Sequence, residues 1–225
     1  MTRRELAGMI DHTFLKAAGE SDAVERLCRE AREYGFACAM VNPCEVKGAA
    51  KMLDGSGVKV GTVIGFPLGQ NSFSIKCAEA LMAIEDGADE LDFVVNLRQL
   101  KSAAAEGGET EQTLGMELKR FAEIGEKSVT KLILECCYLT DAEKVLGCRL
   151  AKEAGFDFVK TSTGFGSGGA TVHDVRLMRE TVGPEMGVKA AGGIRTLADA
   201  LALIEAGANR LGCSAGVEIL KEMVA

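Results

Sequence analysis

The segment Lys152-Glu-Ala-Gly-Phe-Asp-Phe-Val-Lys160 contains the unit from which we expect the fold to be built. A charged helix end precedes Gly155, and glycine suits the left-handed position that follows a helix. A short apolar run comes next and stops at Lys160, before the hydroxyl-rich loop Thr161-Ser-Thr-Gly164. This pattern is typical of a buried parallel strand that delivers one charged side chain to the mouth of a site.

The same unit occurs three more times, in residues 32–40, 85–92 and 205–212. Counted from the glycine of each unit, Lys160 corresponds to Met40, Asp92 and Gly212. Side-chain direction repeats every two residues along a strand. We therefore expect these four residues to lie at similar heights on their strands and to face the same way.

Further strands are predicted in the intervals between these units. Apolar runs mark residues 9–12, 58–64, 131–136 and 187–190, which brings the total to about eight strands. Helical patterns cover residues 74–85, 141–153, 171–181 and 196–205, with Thr140-Asp141 and Thr196 as N-cap positions. Residues 102–113, rich in Ala, Gly and Glu, are predicted to form a surface excursion that leads into a helix.

Regular alternation of strands and helices predicts an α/β protein with a parallel sheet. Eight such units close into a single (β/α)8 TIM barrel, here over residues 1–225 and with a short N-terminal helical segment. A doubly wound open sheet is the alternative. The sequence shows no domain boundary and no low-complexity segment.

Composition excludes several classes of function. The 225 residues are 47% hydrophobic, which is enough for one well-buried core. The net charge of −7 does not favour binding to nucleic acid or to an anionic membrane. The eight cysteines contain no C-x-x-C pair, so we expect reduced thiols, as in a cytoplasmic protein. We find neither a signal-peptide pattern nor an apolar run of about 18 residues, so we expect a soluble, cytoplasmic protein.

Charged residues stand at several predicted strand ends, where the active residues of such barrels lie. These are Asp11, Asp92, Glu135, Lys160 and Lys189, and the two lysines end adjacent strands. Burial and a second ammonium group both lower the pKa of a lysine from its usual value of about 10.4, which makes the amine a nucleophile for carbonyl groups. In the alternative interpretation, each lysine only pairs with a carboxylate.

Glycine-rich loops follow the last three predicted strands, at residues 161–164, 191–195 and 212–216. Glycines let backbone N–H groups approach an anion, a helix starting after Gly212 would point its positive end there, and barrels often hold phosphate at these loops. Alternatively, the glycines only make tight turns. Residues 164–169 also fit G-x-G-x-x-G, but no partner acid follows, which disfavours a dinucleotide cofactor.

Metal and histidine chemistry have little support. His12 and His173 are the only histidines and lie far apart in the sequence. We therefore predict no metal site and no histidine-based triad, and we interpret His12 as a hydrogen-bonded structural residue.

Six motifs together resemble the class I deoxyribose-phosphate aldolases. They are Asp11-His-Thr13, Val41-Asn-Pro43, Val63-Ile-Gly-Phe-Pro-Leu-Gly69, Gly87-Ala-Asp-Glu-Leu-Asp92, Phe158-Val-Lys-Thr-Ser-Thr-Gly-Phe165 and Val188-Lys-Ala-Ala-Gly-Gly-Ile-Arg195. The resemblance runs from about Ile10 to Gly216, in family order. It implies a carbon–carbon lyase without metal or cofactor that reversibly cleaves 2-deoxy-D-ribose 5-phosphate to acetaldehyde and D-glyceraldehyde 3-phosphate, in deoxynucleoside catabolism.

The resemblance also implies roles for individual residues. Lys160 would form the Schiff base, Lys189 would lower its pKa, and Asp92 would belong to the proton relay. The substrate and its phosphate would be held by Asp11, Thr13, Thr163, Gly164, Gly192, Gly193, Arg195, Gly212 and Ser214. The expected partners are the small phosphorylated sugar and acetaldehyde. An exposed helix face could also form a homodimer. A transaldolase-like enzyme and a phosphosugar-binding barrel without turnover are the alternatives.

Four departures from the family pattern concern the surroundings of the lysines. Ala191 and Ala215 stand where many members have serine, Met40 stands where many have cysteine, and the sequence ends at Ala225 without the tyrosine that ends some longer tails. We expect these changes to affect phosphate affinity and proton transfer but not the lysine chemistry. Because a thioether reacts poorly with electrophiles, Met40 predicts tolerance to high acetaldehyde.

Overall fold

The backbone forms one closed barrel of eight parallel strands, in chain order β1 to β8, in a computed structural model that describes residues 1–223. The strands are β1 Ile10–Thr13, β2 Cys38–Val41, β3 Lys59–Ile64, β4 Glu90–Val94, β5 Val129–Ile133, β6 Phe158–Lys160, β7 Gly187–Ala191 and β8 Arg210–Cys213. Pairing of β1 with β8, which places Asp11 opposite Gly212, closes the barrel. The predicted TIM barrel is confirmed, and the open sheet is excluded.

Helices connect the strands around the outside of the barrel. They are α1 Arg3–Ala7, α2 Ala23–Tyr34, α3 Val46–Leu53, α4 Phe73–Glu85, α5 Leu97–Glu106, α6 Gly108–Ile124, α7 Asp141–Ala154, α8 Val172–Val182, α9 Leu197–Glu205 and α10 Gly216–Glu222. The short α1 is the predicted N-terminal helical segment. Within the described residues, none of these helices has the length and apolarity needed to cross a membrane. The expected effect of the short C-terminus falls on Val224 and Ala225, outside the described residues.

The glycine in each repeated unit turns the chain from helix to strand, as predicted. Gly35, Gly87, Gly155 and Gly207 have φ angles of 69°, 104°, 91° and 114°. Residues other than glycine rarely adopt this left-handed backbone conformation. The four units therefore enter their strands in the same way, which explains why residues at equal distances from these glycines lie at comparable positions in the barrel.

Predicted N-caps begin two of the helices. The Thr140 hydroxyl accepts a hydrogen bond from the Glu143 backbone N–H, and the Glu143 carboxylate accepts one from the Thr140 N–H, a capping box at the start of α7. Thr196 and Asp199 form the same arrangement at α9. Each cap is typically worth about 1 kcal/mol, and both helices begin where the sequence predicts.

Two predictions about local structure are wrong. Residues 102–113 are not a surface excursion, because α5 and α6 cover them and break only at Gly107, with buried Leu100, Ala103 and Leu114 anchoring both helices. The fifth strand is Val129–Ile133 rather than residues 131–136, and Glu135, two residues after its end, has a left-handed backbone (φ 56°). The Cys136–Tyr138 segment is a 3-10 helix, so Cys136 does not belong to the strand.

Candidate active site

Seven ionisable side chains meet inside the barrel, each contributed by a strand. They are Asp11 of β1, Glu90 and Asp92 of β4, Lys131 of β5, Lys160 of β6, Lys189 of β7 and Arg210 of β8. Six of them are at most 3% exposed, and the Arg210 side chain is 16% exposed. Most TIM barrels fill this space with branched apolar side chains, so a buried ionic cluster is a strong indication of function.

Asp92 lies at the centre of the cluster. Its Oδ2 accepts hydrogen bonds from Lys160 Nζ at 2.8 Å and from Lys189 Nζ at 2.7 Å. Its other oxygen, Oδ1, accepts one from Lys131 Nζ at 2.8 Å. The structure thus brings together the three predicted catalytic residues, with Lys160 and Lys189 directly opposite each other on adjacent strands.

A second set of ion pairs continues from Asp92 and Lys189 into the barrel. Lys189 Nζ also lies 2.5 Å from Asp11 Oδ2, and Arg210 Nη1 lies 2.6 Å from Asp11 Oδ1. Arg210 Nη1 lies 3.2 Å from both carboxylate oxygens of Glu90. Lys131 Nζ closes the set at 2.5 Å from Glu90 Oε2. Both Asp11 oxygens are therefore ion-paired inside the protein.

Sequence reasoning missed Lys131, Glu90 and Arg210. Glu90 and Arg210 stand three residues after Gly87 and Gly207, two before Asp92 and Gly212. Since side chains two apart on a strand face the same way, the repeat alignment contained the signal for both. The apolar run that predicts the fifth strand begins at Lys131, whereas β5 begins two residues earlier, at Val129, which places Lys131 in the middle of the strand.

Charge counting identifies Lys160 as the lysine that loses its proton most readily. Among residues 1–223, the cluster holds four cationic side chains and three carboxylates. Lys131, Lys189 and Arg210 each lie within hydrogen-bonding distance of two carboxylates, whereas Lys160 contacts Asp92 alone. A guanidinium group does not deprotonate in proteins, so the excess positive charge is relieved at a lysine.

The pKa directions agree with this count. Burial lowers the pKa of Lys160 to about 8, with Lys189 and Lys131 adding to the effect and Asp92 opposing it. Burial also disfavours the charged form of Lys189, but Asp11 and Asp92 outweigh it and raise the pKa. For Asp92, burial is outweighed by Lys131, Lys160 and Lys189, which hold its pKa well below the usual range. Lys160 thus deprotonates closer to neutral pH than an ordinary lysine, and it lies between an anion and a second ammonium group.

Gly212 makes room for Lys189. A Cβ at Gly212 would lie 3.0 Å from Lys189 Cε and 3.1 Å from the Cβ of Ala191, its neighbour in register. Both distances are tighter than ordinary van der Waals contact. Gly212, one of the residues that the resemblance places at the phosphate, therefore lets the second lysine reach Asp92.

The predicted phosphate loops lie together at the carboxyl end of the barrel. Gly164, Gly192 and Gly193 have φ angles of 85°, 87° and 80°, and the Ala170 N–H donates to the Gly192 carbonyl at 3.0 Å. A Cβ at Gly192 would lie 3.0 Å from Gly169 Cα. The side chains of Arg195 and Ser214 are exposed. Gly164 and Gly193 are also exposed, so two glycines, one guanidinium and one hydroxyl face solvent at these closely packed loops.

Thr163 and Thr13 have hydroxyls that are already engaged. Thr163 Oγ1 donates to Glu135 Oε2, and the Thr163 N–H donates to Glu135 Oε1 at 3.2 Å. Thr163 Oγ1 also accepts from the Phe165 N–H at 3.0 Å. Thr13 Oγ1 donates to the Asp11 carbonyl at 2.8 Å. Glu135 thus anchors the loop after β6 instead of pairing with a lysine.

Met40 belongs to an apolar wall beside the ionic cluster. It is fully buried and packs with Leu15, Cys38, Val63 and the partly buried Phe66. Cys38 Sγ lies 3.7 Å from Met40 Sδ, and burial raises the pKa of this thiol well above its usual value. The nearest thiol on this wall is therefore protonated and enclosed.

The structure places the other candidate ligands in ion pairs and hydrogen bonds. His12 Nε2 lies 2.7 Å from Glu30 Oε2, and its ring packs against Phe36 with centroids 4.8 Å apart, which fits the predicted structural role. The ligand atoms of Asp11, Cys38 and Glu90 lie within 4.8 Å of one another. A metal ion there would have to displace the Lys131 and Arg210 ion pairs described above.

Comparison with known proteins places the chain in a family. The family model described as DeoC/LacD family aldolase matches residues 6–222. A deoxyribose-phosphate aldolase from Bacteroides thetaiotaomicron is 54% identical over 219 residues, which cover 96% of this chain and 90% of the relative. One from Clostridium perfringens is 52% identical over 225 residues, covering 100% of this chain and 98% of the relative.

A solved structure shares the fold over nearly the whole chain. The tetrameric deoxyribose phosphate aldolase from Aeropyrum pernix superposes with a TM-score of 0.89 at 35% identity, covering 98% of this chain and 92% of that one. The barrel, the family match over residues 6–222 and this identity agree with one another. The chain belongs to the DeoC/LacD family of aldolases, and it is a carbon–carbon lyase.

Proposed function

We propose that this aldolase reversibly cleaves 2-deoxy-D-ribose 5-phosphate to acetaldehyde and D-glyceraldehyde 3-phosphate through a Schiff base on Lys160. The relatives named deoxyribose-phosphate aldolase support the substrate, and none of them supports the transaldolase-like or non-catalytic alternatives. The observation that carries the mechanism is the position of Lys160, a buried lysine with one carboxylate partner in a cluster with one excess positive charge.

The first step forms the imine. The neutral amine of Lys160 attacks the C1 aldehyde of the open-chain sugar, and the resulting carbinolamine loses water to give a protonated imine. Asp92 Oδ2, 2.8 Å from Lys160 Nζ, is placed to accept and return the protons of this step. Burial of Lys160 disfavours the charged form of its side chain.

The second step breaks the C2–C3 bond. The protonated imine accepts the bonding electrons, the C3 hydroxyl loses its proton, and the products are D-glyceraldehyde 3-phosphate and an enamine on Lys160. Protonation of the enamine carbon and hydrolysis by water then release acetaldehyde and regenerate the amine. Asp92 and Lys189, joined at 2.7 Å, are the pair we assign to the proton on the hydroxyl and the proton delivered to the enamine.

The loops after β6, β7 and β8 are the proposed phosphate site. Backbone N–H groups around Gly164, Gly192 and Gly193 would hold the anion, with Arg195 and Ser214 at the exposed rim. Asp11 is buried with both oxygens ion-paired, so we infer that it acts through Lys189 rather than on the sugar directly. Ala191 and Ala215 provide no hydroxyl for the phosphate.

A borohydride trap tests the proposal. Reduction in the presence of acetaldehyde should leave one ethyl group on Lys160, which peptide mass spectrometry can locate. Lys160→Ala should abolish the adduct, and replacement of the exposed Lys59 by Ala should leave it unchanged. Absence of an adduct, or its appearance mainly on another lysine, would disprove the Schiff-base role.

Assembly and location belong to the same proposal. We infer one catalytic domain over residues 1–225, a homodimer and a cytoplasmic location. The Aeropyrum pernix relative is described as a tetramer, so light scattering on the purified chain should distinguish a dimer from a larger assembly.

A further inference from the structure

Glu90 and Arg210 form an ion pair inside the barrel that the proposed reaction does not use directly. Arg210 Nη1 lies 3.2 Å from each Glu90 carboxylate oxygen, and Glu90 is 2% exposed. The Arg210 guanidinium also lies over the Phe158 ring, 5.5 Å from its centroid. A buried ion pair of this kind is expensive to form, which raises the question of what it does for Lys160.

We propose that the Glu90–Arg210 pair sets the charge balance of the barrel interior so that Lys160 loses its proton more readily than the other two lysines. Both are positioning residues, because each acts on Lys160 through other side chains. The inference rests on the proposed function, since it concerns the lysine that forms the imine.

The numbers of cationic and carboxylate side chains in the cluster support this proposal. Arg210 keeps its charge permanently and takes up part of the negative charge of Asp11 and Glu90. The three lysines share what remains of three carboxylates, and one lysine therefore lacks a full counter-charge. Without Arg210, three lysines would face three carboxylates, and all three could stay protonated. Without Glu90, four cations would face two carboxylates, and deprotonation would become easier.

Two chains of contacts connect the pair to Lys160. Arg210 binds Asp11, Asp11 binds Lys189, and Lys189 shares Asp92 Oδ2 with Lys160. Glu90 binds Lys131, which donates to Asp92 Oδ1. Both routes end at Asp92, the carboxylate that holds Lys160. A change at either end of the pair therefore alters how much negative charge Asp92 can offer to Lys160.

Other groups facing the cluster do not disturb this count. Cys38 of β2 has a pKa raised well above its usual value by burial, and burial raises the pKa of Cys213 of β8 to about 12, so both thiols stay neutral near pH 7. From β3, Gly61 and Val63 lie beside Met40. Glu135 follows β5 and is bound to Thr163. The seven side chains named above are the charged groups that remain within the barrel interior of residues 1–223.

The experiment compares wild type with Arg210→Gln, Glu90→Gln and the double variant. Acetaldehyde is trapped on Lys160 with borohydride across a pH series, and the midpoint of trapping is measured. We expect the midpoint to move up by about one pH unit in Arg210→Gln and down by about one unit in Glu90→Gln, as for neighbouring charges. The double variant again has one cation in excess, so its midpoint should return to within about 0.3 unit of wild type.

Shifts of opposite sign and their cancellation in the double variant separate charge balance from loosened packing, which would move both single variants the same way. Unchanged midpoints, or shifts of the same sign, would overturn the proposal. Circular dichroism melts check folding. If Arg210→Gln does not fold, Glu90→Gln and the double variant decide, and equal midpoints in these two overturn it. A wild-type enzyme that traps nothing on Lys160 would instead refute the proposed function.

Discussion

Replacing Lys189 by leucine tests how the second lysine controls the first. The Lys189 ammonium lies 2.7 Å from Asp92 Oδ2 and 2.5 Å from Asp11 Oδ2. Its removal leaves three cations facing three carboxylates and gives Lys160 sole use of Asp92 Oδ2. The repulsion that helps to lower the pKa of Lys160 disappears, and the attraction of Asp92 increases. We expect the pKa of Lys160 to rise from about 8 at least to the ordinary lysine value of 10.5.

The expected loss of reactive amine is large. At pH 7, a lysine with a pKa of about 8 is a free amine in about one molecule in ten, whereas one with a pKa of about 10.5 is free in about one in 3,000. The difference is about 300-fold, or about 3.4 kcal/mol at 1.36 kcal/mol for each pKa unit. Because Lys189 also handles protons in the proposed mechanism, turnover would combine two effects, so imine formation is the better measurement.

Rapid-mixing borohydride trapping with acetaldehyde, across a pH series, measures imine formation alone. The trapping midpoint should move up by about 2.5 pH units, and at high pH the variant should trap at nearly the wild-type rate. Lys144→Leu is a matched control, since Lys144 is also buried and ion-paired but binds Asp141 and Asp174 outside the barrel. A Lys189→Leu midpoint equal to that of wild type would refute the charge argument.

Three further predictions concern the phosphate loops, the apolar wall and acid stability. Gly192→Ala should raise KM for the phosphorylated sugar about tenfold without changing acetaldehyde trapping. An alanine with φ 87° would be strained, and its Cβ would lie 3.0 Å from Gly169 Cα. An equal effect on KM and on trapping would contradict this prediction. Preincubation with acetaldehyde should inactivate Met40→Cys faster than wild type, and equal rates of loss of activity would show that Met40 gives no protection. The folded-state pKa values of Asp11 and Asp92 are depressed, so their stabilisation is present above the ordinary value of 3.8 and is lost as the pH falls through the folded values. Urea denaturation should show a shallower acid slope for Asp92→Asn, and an unchanged slope would rule out this contribution.

Most of the fold and the positions of the proposed catalytic residues could be predicted because both follow from the strand ends. A left-handed glycine fixes where each strand begins, and in a parallel barrel the carboxyl ends of all strands lie at the same face. Lys160, Lys189 and Asp92 could therefore be placed together without knowing any contact. Their actual hydrogen bonds confirm the placement.

The remaining charges of the cluster were harder to predict for different physical reasons. Glu90 and Arg210 lie two residues before Asp92 and Gly212 on their strands. Because side-chain direction repeats every two residues, the sequence predicts that they face the same way as Asp92 and Gly212. Lys131 depends on register, because its pairing opposite Asp92 can be known only from where β5 begins. The α5–α6 region was misread because Gly107-Gly108 resembles a loop, whereas buried Leu100 and Leu114 hold a helix on each side of the break.

The cluster also explains why a barrel would keep an interior of charges where apolar side chains would pack more cheaply. Replacing buried ion pairs by apolar residues is often neutral or stabilising by about 1–4 kcal/mol, so stability alone does not account for seven ionisable groups. A balanced cluster would hold every lysine as an ammonium ion. With four cations and three carboxylates, one lysine loses its proton more readily than the others, and it is Lys160, the cation of the cluster with a single carboxylate partner. We infer that this excess of one positive charge is what makes Lys160 a reactive amine in the barrel.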